Sequence, residues 1–277
     1  MHTRFNTGST ARPTRNGRFL SCLLTVLILT AVGMLAAPAA AEELEWIFDF
    51  TEGIDLTNPP LPPYPVQLIL DDDTPDGVFG VGAQSAQQFL WFNRFSNPGP
   101  FRLDEIWVLF PAGDNMAVGE EIQLVVYLDP DGDPSNGADL LTTVTETIQV
   151  VDGNTFSVYT LASPLTILTG GDILVGVVDR FVESGVTSPT TPASMDTTAS
   201  QGRSWLAVWT GDPPDPPLLP PDGVYTPIDV FQPGNWMIRA FGTTQQLPAV
   251  PMVDFRGVLL LILLISAAGW VVARGLR

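Results

Sequence analysis

The feature that most constrains this chain is a series of short, strand-like segments, with no long stretch of helical periodicity between them. Runs of β-branched and aromatic residues are separated by Gly, Pro, Asp and Asn, which favour turns. In one run, Ile122, Leu124, Val126 and Leu128 alternate with Gln123, Val125 and Tyr127, so they form one wholly apolar face of a strand. Nine strands are predicted, at 66–70, 88–95, 104–110, 121–128, 140–151, 155–161, 172–178, 204–209 and 236–241, and a terminal one near 45–50.

This pattern predicts an all-β body, an antiparallel β-sandwich of jelly-roll type, over residues 42–245. Two proline-rich segments, 58–65 and 211–227, are predicted to be extended loops, and the second lies between the last two predicted strands. A body of this size buries about 70% of the surface that its unfolded chain exposes, so it folds without disulfides.

Residue usage excludes several classes of function. All 12 cationic residues are arginine, and the single histidine and cysteine, His2 and Cys22, lie near the amino terminus, outside the predicted body. The body therefore lacks the side chains for Ser-His-Asp or Cys-His catalysis, for His or Cys zinc sites and for Schiff-base chemistry. Its 29 acidic residues and five arginines give a net charge of −24, which repels nucleic-acid phosphates.

Residues 1–41 are predicted to be a secretory signal peptide. Four arginines precede an uncharged, mostly apolar run at 19–37, and Pro38 ends this run. Small residues follow up to the predicted cleavage site after Ala41. The alternative is an uncleaved membrane anchor, because the apolar run is about long enough to span a bilayer.

Residues 246–277 are predicted to be a sorting or anchor segment with a transmembrane helix at 258–273. This helix has no charged residue and contains ten Leu, Ile or Val residues, which favour insertion by about 3–6 kcal/mol. Arg274 and Arg277 follow at once, as the positive-inside rule prefers. The alternative is a buried helix of a soluble domain, and the lack of a polar face disfavours it.

The sequence VPMVDFRG at 250–257, the apolar helix and the terminal arginines resemble the tripartite C-terminal sorting tails of Gram-negative bacteria. The similarity is to the IPTL-CTERM type, with the PEP-CTERM (exosortase) type as a relative. The matching residues are Val250, Pro251, Gly257, Arg274 and Arg277. Met252 stands where threonine is usual, and Arg256 stands where tryptophan is usual. The resemblance implies recognition by an exosortase-like membrane sorting protease, with cleavage near Val250-Pro251, and an ordinary membrane anchor is the alternative.

Parts of the body are similar to β-sandwich modules of bacterial secreted proteins. The segments that carry this similarity are 70–73, 127–129, 203–205 and 235–240. They are packing and turn motifs, and many such modules have no assigned activity, so the resemblance implies a fold and no particular reaction.

An acidic segment at 129–139 is the candidate calcium site. Asp129, Asp131 and Asp133 alternate, with Asn136 and Asp139 as further oxygen ligands, and calcium takes six to eight oxygens. The alternative is a hairpin loop in which Asp, Gly, Pro and Asn serve turn geometry. A second acidic cluster at 71–76 is a weaker candidate.

Trp205 and Trp209 are the candidate ligand-binding residues. They lie four residues apart and so share a face of a straight strand, where exposed rings would stack on an extracellular polysaccharide. The alternative for both is a place in the core.

The sequence thus predicts an exported, membrane-sorted or surface-anchored module with a binding or structural role in the cell envelope. It is predicted not to be an enzyme, with calcium as the candidate cofactor. The alternative is a carbohydrate-binding module or a polysaccharide hydrolase with a carboxylate acid and base.

Overall fold

The computed structural model describes residues 45–50, 56, 60–82, 88–113, 116–168, 170–181, 190–246, 263–265 and 274. Within these residues, antiparallel β-strands dominate, and two short 3-10 turns lie at Pro134–Asn136 and Ile228–Val230. The predicted all-β, antiparallel class is confirmed.

The strands are β1 (Glu45–Phe50), β2 (Val66–Leu68), β3 (Gly77–Gly82), β4 (Leu90–Ser96), β5 (Phe101–Leu109), β6 (Glu121–Asp129), β7 (Asp139–Thr147), β8 (Phe156–Ile167), β9 (Asp172–Asp179), β10 (Ala193–Asp196), β11 (Ser204–Val208), β12 (Val224–Pro227), β13 (Asn235–Trp236) and β14 (Ile238–Thr244). They form a six-stranded sheet in the order β12-β11-β4-β9-β6-β7 and two four-stranded sheets in the orders β2-β14-β5-β8 and β1-β3-β10-β13.

The two four-stranded sheets adjoin at Met237, between β13 and β14. Its N–H donates to the Ser194 carbonyl of β10 at 3.0 Å, and its carbonyl accepts from the Leu109 N–H of β5 at 3.0 Å. One residue thus continues the hydrogen bonding from one sheet to the next.

The main core contains side chains from all three sheets, which gives the body a sandwich-like arrangement. Ile122, Leu124 and Val126 of β6 belong to this core and are at most 1% exposed, as predicted, whereas Leu128, the fourth residue of the predicted face, is only half-buried. Trp91 of β4 and Trp236 of β13 are the largest apolar side chains fully buried in it. Burial of such side chains, each about 1.5–3 kcal/mol, is the main driving force for this fold.

The six-stranded sheet is covered on its other face as well. The residues between the core-facing positions form a second apolar cluster, here called the outer cluster. Its buried members are Leu90, Phe92, Val125, Tyr127, Leu174, Val178, Trp205, Ala207 and Trp209. This double burial explains why β6 and β9 are apolar at nearly every position.

Each of the nine predicted strands coincides with a strand, and three further strands, β3, β10 and β12, were not predicted. The prediction that 211–227 is one long loop is wrong at its end. Residues Val224–Pro227 form β12, which pairs with β11, so the loop ends at Gly223.

The predicted signal peptide, 1–41, lies outside the described residues. Of the predicted transmembrane helix, 258–273, only residues 263–265 are described, and they are helical. No helix in the described part of the chain is long and apolar enough to cross a membrane.

Candidate functional site

Two loops lie over the outer cluster. The acidic loop, residues 129–139, connects β6 to β7, and the proline-rich loop, residues 211–223, connects β11 to β12. Ala138 of the first and Leu219 of the second both pack against the outer cluster. The two loops lie against each other. The space beside Gly137 is so narrow that a Cβ at this position would lie 3.0 Å from the Leu219 carbonyl oxygen.

The carboxylates of the acidic loop accept hydrogen bonds from its own backbone. Asp129 Oδ1 accepts from the Gly132 N–H, and Asp131 Oδ1 accepts from the Asp133 N–H, both at 3.1 Å. Asp133 Oδ1 accepts from the Ser135 N–H at 3.1 Å. These bonds are the turn geometry that the alternative interpretation of this segment predicts.

The structure brings together only part of the predicted calcium ligand set. Asp131 Oδ2 accepts from the Asn136 amide at 2.8 Å, and Asp129 lies beside Asp131. Asp139 is exposed at the start of β7, opposite Leu128 of β6. Among the described residues, no group of three or more Asp, Glu, His or Cys side chains is placed to hold one metal ion. The expected convergence of all five residues is therefore absent.

Asp129 is the most constrained carboxylate of the acidic loop. It is 0% exposed, and its Oδ2 has no hydrogen-bond donor among the described residues. Burial raises the pKa of Asp129, and the hydrogen bond and negative charge of Asp131 raise it further. A hydrogen bond from Asn136 lowers the pKa of Asp131. The two neighbouring carboxyls therefore differ in their affinity for a proton.

Two arginines border the acidic loop. Arg94 Nε lies 3.5 Å from Asp172 Oδ2, and the Arg203 guanidinium lies 3.8 Å from the same oxygen. Arg94 also donates to the Gly132 carbonyl of the loop. Asp172 is directly opposite Asp129 in the pairing of β9 with β6. Both arginines therefore lie near the end of these two inner strands, where the acidic loop begins.

Trp205 lies in β11, Trp209 directly follows the end of that strand, and both belong to the outer cluster. They are 9% and 7% exposed, respectively, which leaves little ring surface for a sugar. Trp205 is stacked on Phe92 with ring centroids 6.4 Å apart and lies 5.3 Å from Tyr225. These contacts are those of the alternative interpretation, in which the rings pack in the core.

Tyr127 of β6 and Arg180, the residue after β9, hold the proline-rich loop by its carbonyl groups. The Tyr127 hydroxyl donates to the Pro217 carbonyl at 2.6 Å. Arg180 donates to the Pro213 carbonyl, and to the Pro214 carbonyl at 2.8 Å. Because proline has no N–H, these carbonyls are the groups by which such a loop can be fixed.

The second acidic cluster, 71–76, is used in the same structural way. Asp71 and Asp73 pair with the Arg239 guanidinium, which is 1% exposed. Asp76 Oδ2 accepts from the Thr197 N–H at 2.9 Å. The buried guanidinium of Arg239 is thus the cation that pairs with two of the carboxylates predicted as weaker calcium ligands.

Asp179, at the end of β9, was not singled out from the sequence. It is 0% exposed, and neither carboxyl oxygen accepts a hydrogen bond of ordinary geometry from the described residues. Burial raises its pKa well above the ordinary value, and the nearby Phe89 backbone and the charge of Arg180 lower it only in part. The sequence could have indicated this burial, because Asp179 follows Ile173, Val175 and Val177 at every second position and so shares their core-facing side of β9.

The Asp129–Asp131 pair does not have the geometry of a glycosidase. Its carboxyls are in hydrogen-bond contact, whereas glycoside hydrolysis needs two carboxyls about 5–10 Å apart on either side of the scissile bond. Of the sorting-signal residues, Val250, Pro251, Gly257 and Arg277 lie outside the described residues, and Arg274 is helical.

A comparison with models of known protein families finds no match, and neither does a comparison with curated proteins. Among solved structures, the chain is similar to the cysteine protease and lectin-like domains of Cwp84, a surface layer associated protein of Clostridium difficile. The identity is 16%, the TM-score is 0.43, and the match covers 65% of this chain. The chain spans 36% of the length of that protein.

Proposed function

We propose that this chain is an exported β-sandwich module that is sorted to, or anchored in, the membrane of a Gram-negative cell and has a non-enzymatic binding or structural role in the envelope. The observation that carries the non-enzymatic role is the use of the acidic loop's carboxylates within the loop itself. The export and sorting steps rest on the sequence pattern of residues 1–41 and 246–277.

We also propose that the sandwich is of the jelly-roll type. The strand orders β2-β14-β5-β8 and β4-β9-β6-β7 support this assignment. Along the chain, β2, β4 and β5 alternate between the two sheets, as do β7, β8 and β9. Alternation of this kind with antiparallel pairing is the pattern of two Greek keys. On this assignment, β1, β3 and β10–β13 are additions to the eight strands.

A rigid outer surface supports a structural or binding role. The proline-rich loop is fixed through Tyr127 and Arg180, and the loops over the outer cluster pack on aromatic side chains. Such a body keeps its shape without disulfides, which suits a module that presents loops to an envelope partner. The candidate partners are a membrane, a sorting protease and an extracellular polysaccharide.

Localisation of the full chain in a Gram-negative host tests the export proposal. An epitope is inserted at Gly99, where no atom lies within 4 Å of a Cβ position. We expect the epitope in the membrane fraction and outside the cytoplasm. We expect a chain without residues 1–41 to stay in the cytoplasm, and a chain without residues 258–273 to leave the membrane fraction. Full-length protein in the cytosolic fraction would contradict the proposal.

Sorting and binding are tested separately. The mass of the exported protein is compared between wild type and Pro251→Ala. If a sorting protease recognises the tail, wild type is shortened and Pro251→Ala keeps the mass of the uncut chain. If the tail is a simple anchor, the two proteins are cut to the same extent. Binding to a polysaccharide array with Trp209→Ala as the comparison tests the sugar partner. No binding by either chain leaves the structural role as the function.

A further inference from the structure

The acidic loop carries an excess of negative charge in a small volume. Asp129, Asp131, Asp133 and the facing Asp172 contribute four carboxylates, and Arg94 and Arg203 contribute two guanidiniums. Both arginines contact Asp172, and neither forms an ion pair with Asp129 among the described contacts. The group therefore has a net excess of two negative charges, and the three carboxylates of the loop itself form no ion pair among the described contacts.

Asp129 supplies a second, independent observation. Its Oδ2 is buried and accepts no hydrogen bond from the described residues. A buried carboxylate oxygen normally has a donor, and the absence of one points to a partner such as a water molecule or an ion. The neighbouring group is the Asp131 carboxylate, which repels an unprotonated Asp129 unless something positive lies between them.

We propose that Asp129 and Asp131 hold a hard divalent cation, calcium or magnesium, with water and loop oxygens completing its coordination. Two carboxylates are enough for an ion that keeps several of its waters. Asp131 is exposed, so the ion reaches the buried Asp129 from solvent along the Asp131 side. This pair replaces the five-residue set that the sequence predicts, and it does not depend on the proposed envelope role.

The proposal is tested by thermal unfolding of the full chain in EDTA and then in CaCl2 or MgCl2 up to about 10 mM, which is about ten times the Kd of the weakest extracellular calcium sites. A series in NaCl at matched ionic strength measures the screening of the acidic body. We expect the divalent salts, and not NaCl, to raise the Tm by about 3–6 °C at ten times the Kd.

Asp131→Asn is the test variant, because an asparagine keeps the acceptor for the Asp133 N–H and removes the charge. Asp152→Asn is the matched control, since Asp152 accepts from backbone N–H groups in the same way in another loop. We expect Asp131→Asn to lose the Tm increase and Asp152→Asn to retain it.

Two results would overturn the proposal. One is an equal response of the wild-type chain to the divalent salts and to NaCl, and the other is an unchanged response in Asp131→Asn. If the wild-type Tm responds to no divalent ion but rises on acidification from pH 7 to pH 5 by more than the Tm of Asp131→Asn does, the two carboxyls share a proton and no cation, because the contribution of Asp179 is common to both chains. Calorimetric titration with CaCl2 gives the stoichiometry, which we expect to be one ion per chain.

Discussion

At the residue scale, the body depends on a few charges that lack access to water. Arg239 forms two hydrogen bonds through Nε with the Asp71 carboxylate, at 3.0 and 3.2 Å, and its guanidinium lies 4.4 Å from the ring centroid of Phe156. The side chains of Arg239 and Asp71 are 1% and 0% exposed. Each charge is tolerated only because the other is present.

Arg239→Met is expected to lower the free energy of unfolding by about 3–5 kcal/mol, because it leaves the Asp71 carboxylate buried without its counter-ion. Urea denaturation measures this loss. Arg102→Met is the control, since Arg102 is 44% exposed and pairs with Asp104 at 2.7 Å, so its loss is expected to cost less than about 1 kcal/mol. Equal losses in the two variants would contradict this assignment.

Asp179 gives the body a dependence on pH with a defined sign. Because burial raises its folded-state pKa, the folded protein binds its proton more tightly than the unfolded chain, and stability falls as pH rises above the ordinary pKa. Asp179→Asn is neutral at every pH. We therefore expect the unfolding free energy of the variant, relative to wild type, to increase from pH 4 to pH 7 in urea titrations.

Asp152→Asn should give the opposite trend. Although burial opposes the shift, hydrogen bonds from Asn154 and Thr155 lower the pKa of Asp152, so wild type gains stability above the ordinary pKa and loses it as pH falls. We expect the deficit of this variant at pH 7 to disappear on acidification. A constant difference between Asp179→Asn and wild type across this range would show that the pKa of Asp179 is the same in the folded and unfolded states.

At the scale of elements, the sequence predicts those strands whose own residues alternate or form apolar runs, such as β6 and β9. The strand β3 (GVFGVG) is half glycine, and its pattern depends on another segment, since a Cβ on Gly80 would overlap the Thr190 carbonyl oxygen. Trp205 and Trp209 illustrate the same limit in the candidate site. Their position in and just after β11 follows from the local sequence, but their burial depends on residues that are distant in the chain, such as Phe92, which stacks on Trp205.

The fixation of the proline-rich loop can be measured through Tyr127. Tyr127→Phe removes the donor of the 2.6 Å hydrogen bond to the Pro217 carbonyl, and we expect a loss of about 1–2 kcal/mol in unfolding free energy. Limited proteolysis should also cut the loop faster. Tyr225→Phe is the control, because the Tyr225 hydroxyl is buried with no partner among the described residues. Removal of this hydroxyl should therefore not lower the unfolding free energy. Equal losses would contradict the anchoring role.

At the scale of the whole molecule, the first and last parts of the sandwich depend on each other. β14 lies between β2 and β5, so strands from near both ends of the described body meet in one sheet. Val66 of β2 is opposite Gly242 of β14. Neither β2 nor β5 has its full set of hydrogen bonds until β14 is in place.

A chain that ends at residue 237 should therefore lack a cooperative thermal transition, whereas a chain that ends at residue 246, just after β14, should retain one. The reason is that loss of β14 leaves β5 with an unpaired inner edge and removes Ile238 and Ala240 from the core. Circular dichroism melting curves of the two truncated chains make the comparison. Cooperative melting of the shorter chain would contradict the role given to β14.

The pairing of Val66 with Gly242 also orders events in time. If the export that we propose threads the chain through a translocon amino end first, β14 is the last of the described strands to emerge, and it does so immediately before residues 246–277. Until then β2 cannot pair with β14, because the loop between these two strands can close only when both strands are on the same side of the bilayer. Under this proposal, the module becomes able to complete its fold at about the time when the tail reaches the membrane. A sorting enzyme at the membrane would then act on molecules that have only just become able to fold.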